Sequence, residues 1–236
     1  MTKYVAHRGA NQLAPQNTMK AFTKACEIGA DGIETDVRFS KDRKLVILHD
    51  PDISQTSDGA GPVGSFTYEQ LLQYDFGEGE KIPLLSQLLS EDLPINFLNI
   101  EIKQIPGNDL SIADAVLDEL AQHPFHGKLV LSSFSIDILR RVRKLDSDVL
   151  CGILYSPAEG EYHKVKNYIK IAKNEGFNAL HPYYIPVTAE YIKLCHENGL
   201  EVNVWGCSHD KRIKHLIQWG TDAVITDNSR VKELFK

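Results

Sequence analysis

Four short apolar runs in the first half of the chain end in residues that can do acid–base or ionic chemistry. These ends read His7-Arg8-Gly9, Glu34-Thr35-Asp36, His49-Asp50 and Glu101-Ile102-Lys103. If the runs are parallel strands of a barrel, their carboxyl ends meet at one mouth, which is where catalysis takes place in that architecture. The sequence therefore predicts one composite site built from these four ends.

Three carboxylates in this set have the chemistry of a metal site. Glu34 and Asp36 are two residues apart, so both side chains point to the same face of a strand, where they repel each other unless a cation lies between them. With Glu101 they offer an oxygen-rich site for a hard divalent ion, Mg²⁺ or Ca²⁺, and Mn²⁺ also fits. Zinc is disfavoured because oxygen ligands outnumber nitrogens. The alternative is that each carboxylate pairs with a nearby arginine or lysine.

The two strand-end histidines, His7 and His49, are candidates for proton transfer. Imidazole titrates near working pH, so a pair beside a carboxylate cluster predicts a general base and a general acid. A single histidine in such a place is more typically a hydrogen-bonded core residue. The presence of two favours catalysis, and the residues do not say which is the base.

Two cations and one aromatic residue complete the candidate site. The planar guanidinium of Arg8 matches two phosphate oxygens, and the ammonium of Lys103 adds a point charge. Trp205 ends a later apolar run and could form the floor of the site, as His181 could line it. A metal, two histidines and a cationic clamp together predict cleavage of a phosphodiester by acid–base catalysis with electrophilic help.

The elements that must position these residues are strands alternating with helices. Ser135, Thr188 and Asp210 stand where helix N-caps are expected, before segments of helical periodicity. Such alternation predicts parallel strands joined by right-handed crossovers. Nine apolar runs are strand candidates: residues 4–6, 32–33, 45–48, 97–102, 129–131, 149–154, 179–180, 202–205 and 223–226.

Nine candidates are one too many for an eight-stranded barrel. The link between residues 38 and 44 is too short for a crossover helix, which needs about a dozen residues. We therefore predict that run 45–48 is a hairpin-like addition beside the second strand. The remaining eight favour a (β/α)8 TIM barrel over a doubly wound open sheet. Residues 1–236 are predicted to be a single domain.

Residues 51–82 interrupt the alternation. Their glycines and serines are incompatible with a barrel strand, although a short helical piece is expected around residues 68–74. Long insertions in compact domains are typically lids or binding loops. We predict a small lid-like subdomain on the carboxyl-terminal face of the barrel, after the second strand region.

Composition excludes several classes of protein. With 42% hydrophobic and 25% charged residues the chain is that of an ordinary globular protein, and its formal net charge of −6 argues against a nucleic-acid binder. The four cysteines are scattered, which indicates reduced thiols rather than a disulfide framework. No leader or membrane span is evident, so a cytoplasmic location is expected. The sequence does not indicate an oligomeric state.

The motifs that carry these residues resemble those of one enzyme family along essentially the whole chain. They are HRG, APQNT at residues 14–18, GADGIETDVRFSKDRKLVILHDP, LNIEIK, LSSF, VNVW and DAVITD. In this order and spacing they resemble the glycerophosphodiester phosphodiesterases of the bacterial, cytoplasmic type.

The resemblance implies a TIM barrel with a small inserted subdomain and a metal-dependent hydrolase. Its reaction would convert a glycerophosphodiester, such as glycerophosphocholine or glycerophosphoethanolamine, to sn-glycerol 3-phosphate and an alcohol. The matched positions imply His7 and His49 as acid–base pair, Glu34, Asp36 and Glu101 as metal ligands, and Arg8 and Lys103 as phosphate contacts.

Two departures from the family pattern concern substrate positioning. The family usually has PENT where this chain has Pro15-Gln16-Asn17-Thr18, so a carboxylate becomes the amide of Gln16, a candidate substrate contact. After Trp205 the chain continues with Gly206-Cys207-Ser208 instead of Thr-Val-Asn. Two alternatives stay open: a lysophospholipase D-type diesterase on lipid substrates, and a non-catalytic phosphodiester-binding barrel.

Overall fold

The strands form one sheet that closes on itself. A computed structural model of the chain describes residues 1–105, 107–156 and 164–234. Within these residues the strands are Lys3–His7 (β1), Gly32–Phe39 (β2), Leu45–Ile47 (β3), Phe97–Ile102 (β4), Lys128–Ser133 (β5), Leu150–Tyr155 (β6), Ala179–Pro182 (β7), Glu201–Trp205 (β8) and Ala223–Thr226 (β9). Their order is β1-β9-β8-β7-β6-β5-β4-β2-β3, and β1 also pairs with β2.

Eight of the strands are parallel and make the barrel wall, so the predicted (β/α)8 barrel is confirmed. The exception is β3, which pairs antiparallel with β2, with Val37 opposite Ile47 and Phe39 opposite Leu45. Run 45–48 is therefore the hairpin addition that the short link predicted.

Helices cover the outside of the barrel and connect its strands. They are Met19–Glu27 (α1), Tyr68–Leu71 (α2), Leu85–Ser90 (α3), Ser111–Gln122 (α4), Ile136–Leu145 (α5), Lys164–Glu175 (α6), Ala189–Glu197 (α7), Asp210–Gln218 (α8) and Val231–Leu234 (α9). None of the helices in the described ranges is long and apolar enough to cross a bilayer.

Two of the three predicted N-caps are present. The hydroxyl of Ser135 accepts from the amide of Ile138, and that of Thr188 accepts from the amide of Tyr191. The prediction for Asp210 was wrong by one residue, because Asp210 is the first residue of α8. The carboxylate of Asp210 accepts a hydrogen bond from the side chain of Asn228 at 2.5 Å, so its partner lies outside α8.

The barrel interior changes from apolar to polar along its axis. On the side of the barrel nearer the amino ends of the strands, the interior is filled by a buried cluster of Val5, Phe97, Val130, Ala223 and Ile225. Side chains alternate along a strand, so the residues two positions beyond Val5 and Phe97 face the same interior, one layer nearer the carboxyl ends. The apolar floor thus supports a polar layer at the mouth.

Residues 51–82 pack around a small core of their own. They contain two 3₁₀ turns, Ile53–Gln55 and Val63–Ser65, together with α2. The apolar cluster comprises Ile53, Val63, Leu71, Phe76 and Ile82 with Val46 and Leu48 from the β3 region. The insertion is thereby attached to the hairpin that extends from β2.

Candidate active site

A cavity of about 100 Å³ opens at the carboxyl ends of the barrel strands. Six of the nine residues predicted for the site line it: His7, Arg8, Glu34, His49, Glu101 and Trp205. The other three, Asp36, Lys103 and Gln16, contact members of this set. The remaining wall is formed by Asn99, Phe134, Leu154 and Ile225.

The three predicted metal ligands form one buried cluster. Glu34 and Asp36 lie on β2, and Asp36 is directly opposite Glu101 of β4. One carboxylate oxygen from each of the three lies within 4.8 Å of the others. This separation suits three oxygen ligands around one divalent ion, and the buried acidic cluster could hold a metal.

The charge of the cluster exceeds what the protein's own cations compensate. Burial and the charge of Asp36 raise the pKa of Glu34 to about 7 and that of Glu101 to about 8. Burial would raise the pKa of Asp36 as well, but the charges of Lys103 and Arg8 hold it below its usual range. The Oδ1 of Asp36 lies 2.9 Å from the ammonium of Lys103, which also contacts Glu101, so one lysine is shared between two carboxylates. These properties fit a divalent cation as the missing positive charge.

Ion pairing with neighbouring side chains, the predicted alternative, is also present in part. The Nζ of Lys103 lies 2.9 Å from Oδ1 of Asp36 and 2.5 Å from Oε1 of Glu101. The Nε of Arg8 is 3.5 Å from Oδ2 of Asp36. Glu34 receives only the backbone N–H of Arg8, at 3.1 Å, among the hydrogen bonds of the described residues. The two cations therefore balance Asp36 and Glu101 better than Glu34.

The turn after β1 holds Arg8 in an unusual conformation. Arg8 has a φ of 56°, a left-handed value uncommon for residues other than glycine, and this points its backbone N–H at Glu34. Gly9 follows with a φ of 78°, and a Cβ there would lie 2.7 Å from the carbonyl carbon of Ala21. Only glycine lets this turn approach α1. The Nη1 of Arg8 donates to Oε1 of Gln16 at 2.6 Å, which fixes the guanidinium.

His7 is held by a carboxylate that directly follows the last strand of the barrel. Its Nδ1 lies 2.6 Å from Oδ1 of Asp227, which also accepts from Nδ2 of Asn11 at 2.5 Å. Burial would raise the pKa of Asp227, but the hydrogen bond with His7 lowers it, so Asp227 is ionised and Nδ1 of His7 is the donor. The Nε2 of His7 then faces the carboxylates, 3.9 Å from Glu34.

The hydrogen bond also sets the basicity of His7. Burial acts to lower the pKa of His7, but the bond to Asp227 and the charge of Glu34 outweigh it and raise the pKa above its usual value. His7 is therefore a stronger base than a free imidazole.

His49 has a different environment. Its Nδ1 is 3.0 Å from Oδ1 of Asp50, and its backbone carbonyl accepts hydrogen bonds from Nε and Nη2 of Arg38, at 2.8 and 2.6 Å. Burial lowers the pKa of His49, and the charges of Lys103 and Arg8 add to this. The two histidines thus differ in basicity, as an acid–base pair requires.

Sequence reasoning missed several residues that support the site, Asp227 and Asn17 among them. Asp227 directly follows run 223–226, so the rule used for the other strand ends would have identified it. Asn17, with a φ of 58°, donates to Oδ2 of Asp36 at 2.9 Å and accepts from the hydroxyl of Thr35 at 3.0 Å. Its position in the APQNT motif was the available signal.

Trp205 and His181 have separate roles. Trp205 lines the cavity with Phe134 packed edge-on at 5.8 Å, and its Nε1 donates to the carbonyl of His181 at 3.0 Å. His181 itself is fully buried beside Asn203, and burial lowers its pKa to about 3. His181 is a neutral core residue whose backbone carbonyl holds the indole of Trp205 in place.

Comparison with known proteins shows extensive similarity to one group. The profile of the glycerophosphoryl diester phosphodiesterase family matches residues 7–231. A glycerophosphodiester phosphodiesterase from Caldanaerobacter subterraneus is 34% identical to this chain, covering 96% of it and 94% of the relative.

Solved structures have the same fold. The crystal structure of a glycerophosphodiester phosphodiesterase from Thermotoga maritima superposes with a TM-score of 0.82 at 27% identity, covering 100% of this chain and 99% of that one. A phosphodiesterase from Oleispira antarctica, solved in complex with the product sn-glycerol-3-phosphate, superposes with a TM-score of 0.89 at 24% identity, covering 100% and 97%.

Proposed function

Because the chain belongs to the glycerophosphoryl diester phosphodiesterase family, we propose that it hydrolyses glycerophosphodiesters to sn-glycerol 3-phosphate and an alcohol. Glycerophosphocholine and glycerophosphoethanolamine are proposed members of the substrate class. The observation that carries the proposal is the cavity in which His7, His49 and Arg8 face a buried cluster of three carboxylates. The product would return to glycerol and lipid metabolism.

Proton transfer is assigned to the two histidines. One takes a proton from the attacking group, which is either water or the glycerol hydroxyl on the carbon beside the phosphate ester. Attack by the hydroxyl would release the alcohol and form a cyclic phosphate, which water would then open to sn-glycerol 3-phosphate. The other donates a proton to the oxygen of the leaving alcohol, so that the P–O bond breaks without releasing an alkoxide. The bond from Asp227 leaves Nε2 of His7 free for this exchange.

Arg8 is assigned to the phosphoryl oxygens, because its guanidinium lines the cavity and a planar fork suits two oxygens of one phosphate. Lys103 supplies a second positive charge beside Glu101. Trp205 gives the apolar part of the substrate a flat wall, and Gln16 orients Arg8.

Glu34, Asp36 and Glu101 are proposed to hold one divalent ion, Mg²⁺ or Ca²⁺ with Mn²⁺ as a further candidate. Such an ion would supply positive charge to stabilise the negative charge of the phosphoryl group, in addition to that of Arg8. The excess of buried carboxylate charge supports this assignment.

The test is a direct assay of purified protein with glycerophosphocholine, in which sn-glycerol 3-phosphate is measured after chelation and after adding back Mg²⁺, Ca²⁺ or Mn²⁺. We expect the chelated protein to be inactive and a divalent ion to restore turnover. Undiminished turnover after exhaustive chelation would contradict the metal role. No hydrolysis of any glycerophosphodiester under any of these conditions would contradict the function and favour a binding barrel.

One observation favours a second candidate. Phe134 lines the cavity and is 49% exposed, an apolar surface at the mouth that an acyl chain could cover. A lysophospholipase D-type diesterase would hydrolyse lysophosphatidylcholine faster than glycerophosphocholine, and the same assay with both substrates distinguishes the two candidates.

For the whole chain we propose a single domain in which residues 51–82 act as a lid-like subdomain. A cytoplasmic location is supported by Cys26, Cys151, Cys195 and Cys207, which are all free thiols, three of them buried. Fractionation of the source cells would test the location.

A further inference from the structure

A second and larger cleft, of about 300 Å³, lies next to the catalytic cavity. Its walls are the turn between β2 and β3, the 3₁₀ turn Val63–Ser65 of the insertion, and the segment that follows β4. The volume is about that of ten water molecules in the liquid, at about 30 Å³ each. A group of about ten non-hydrogen atoms, the size of a glycerol phosphate, therefore has room.

The cleft is unevenly charged. Arg38, Lys41, Arg43 and Lys103 line it, against a single lining carboxylate, that of Asp109. The Nη1 of Arg43 is 3.4 Å from Oδ2 of Asp109, and Lys103 is occupied by the metal-site carboxylates. These pairings neutralise two of the four cations.

Lys41 carries the uncompensated charge. The ammonium of Lys41 has no carboxylate within 4.0 Å in the described ranges. The carboxylate of the neighbouring Asp42 accepts hydrogen bonds from the hydroxyl of Ser40 and the amide of Tyr68, and it does not pair with Lys41. Arg38 donates to the neutral carbonyl of His49, and the carboxylates of Asp36, Glu101 and Asp50 act on its charge and oppose the lowering of its pKa by burial. An anion in the cleft would therefore meet positive charge.

Two contacts connect this cleft to the catalytic centre. Arg38 lies two residues beyond Asp36 on β2 and holds the backbone of His49. Lys103 lines the cleft while its Nζ binds Glu101, which lines the catalytic cavity. A diester with its phosphorus at the carboxylate cluster would have one end close to the cleft.

We propose that this cleft binds an anionic group on the alcohol part of the substrate, so that the preferred glycerophosphodiesters are those whose alcohol carries a further phosphate. This rests on the proposed function and deepens it. A choline or ethanolamine ammonium would be repelled by the ammonium of Lys41, whereas a phosphate would be attracted to it.

The test compares three diesters: glycerophosphoglycerol, the same molecule with a phosphate monoester on its second glycerol, and glycerophosphocholine. Loss of the diester resonance in phosphorus-31 spectra gives kcat/KM for each. We expect the phosphate-bearing diester to be the best substrate and the choline diester the poorest. The preference should weaken as ionic strength rises, because exposed charges are screened.

Two substitutions localise the effect. Lys41→Gln should lower the ratio of kcat/KM for the phosphate-bearing diester to that for glycerophosphoglycerol by about three- to fivefold, the range of one partly exposed ion pair. Lys41→Glu should lower it further. Lys44→Gln is the matched control, since Lys44 is an exposed lysine of the same turn that does not line the cleft.

Equal kcat/KM for the charged and uncharged diesters, or a ratio unchanged by Lys41→Glu, would overturn the proposed cleft while the hydrolase function stands. A ratio that falls equally in Lys44→Gln would also overturn it, because the effect would then belong to general surface charge. Hydrolysis of none of the three diesters would remove the proposed function, and this inference with it.

Discussion

The hydrogen bond between Asp227 and one ring nitrogen of His7 determines whether the other nitrogen can accept a proton. Asp227 accepts from Nδ1 of His7, so the proton of the neutral ring is on Nδ1 and the lone pair on Nε2. Asn11 donates to the same oxygen of Asp227 and fixes its position. We therefore regard Asp227 as a positioning residue for proton transfer by His7.

Replacing this carboxylate tests the role. We expect Asp227→Asn to lower kcat by about ten- to a hundredfold, as is usual for a group that orients a functional histidine, with little change in KM. Asp227→Glu should recover part of the loss. Asp118→Asn, on the exposed side of α4, is the control for general surface charge. A rise in KM with kcat unchanged would show that Asp227 contributes to substrate binding rather than to the positioning of His7.

The histidines themselves carry the strongest prediction at this scale. His7→Ala and His49→Ala should each lower kcat by about 10² to 10⁴, the usual contribution of a positioned acid or base. The double variant should be barely slower than the slower single variant, because residues that act as one unit are not additive.

The leaving group separates the two roles. A p-nitrophenolate leaves without needing a proton, so the variant that lacks the general acid should recover much of its rate on a p-nitrophenyl diester. The variant that lacks the base should stay slow on both substrates. Folded single variants with near-normal kcat on glycerophosphocholine would contradict the acid–base mechanism.

Gln16 is one of the two positions where the resemblance led us to expect a different residue, and the structure gives it a partner. Its Oε1 accepts from Nη1 of Arg8 at 2.6 Å. Gln16→Glu would neutralise part of the Arg8 charge, so we expect KM for the diester to rise by a few fold, with a smaller change in kcat. Gln12→Glu, on the same loop and exposed, is the control. Identical kinetics for Gln16→Glu and the parent enzyme would show that the pairing does not reach the substrate.

At the scale of elements, the strands that carry the site were the hardest to delimit from sequence. Apolar run 32–33 is only the beginning of β2, which continues to Phe39. Its extension contains Glu34, Asp36 and Arg38, whose charges break the apolar pattern that identifies a strand. The charged residues of the candidate site thus interrupt the apolar pattern by which β2 would be recognised in the sequence. The two-residue spacing of Glu34 and Asp36 nevertheless predicted a shared face, because strand geometry is local.

The insertion gives a prediction for one element. Leu71 of α2 is fully buried in the cluster of residues 51–82. Leu71→Ala should lower the free energy of unfolding of this segment by about 2–5 kcal/mol. Because the cluster is distinct from the main core, amide exchange should accelerate within residues 51–82 before it does in the barrel.

Leu145→Ala is the control, since Leu145 is 46% exposed. Exchange that accelerates equally in the barrel strands would show that insertion and barrel unfold as one unit.

At the scale of the whole molecule, barrel closure determines which residues meet. His7 and Asp227 are separated by 220 residues and touch because β1 pairs with β9. Strand–helix alternation predicted a barrel, and with it a mouth where strand ends converge. It could not predict which side chains bond across the seam, because those contacts depend on the register of distant strands. The strand-end rule could therefore name His7, and could have named Asp227, but it could not predict the hydrogen bond that joins them.

The cluster of three carboxylates bears on the stability of the closed barrel. Glu34, Asp36 and Glu101 come from two adjacent strands and are buried with more negative charge than the protein's cations balance. A divalent ion that binds only the folded chain stabilises it by about 2.7 kcal/mol at a hundredfold excess over Kd. For a chain of this size that amounts to roughly 5–10 °C in Tm.

We therefore expect Mg²⁺, Ca²⁺ or Mn²⁺ to raise the Tm of the chelated protein, measured calorimetrically, and Glu101→Gln to abolish most of that rise. Without metal, Glu101→Gln should unfold at the same temperature as the parent protein or higher. Burial and the charge of Asp36 raise the pKa of Glu101 to about 8, so its ionised form is disfavoured in the fold and an amide relieves the repulsion.

Glu197→Gln, at an exposed carboxylate of α7, should leave both temperatures unchanged. Two results together would contradict the metal site: a Tm of the metal-free Glu101→Gln variant several degrees below that of the parent protein, and a parent Tm that divalent ions do not change. Lys103 and the carboxylates would then be a structural ion-pair network that holds no metal.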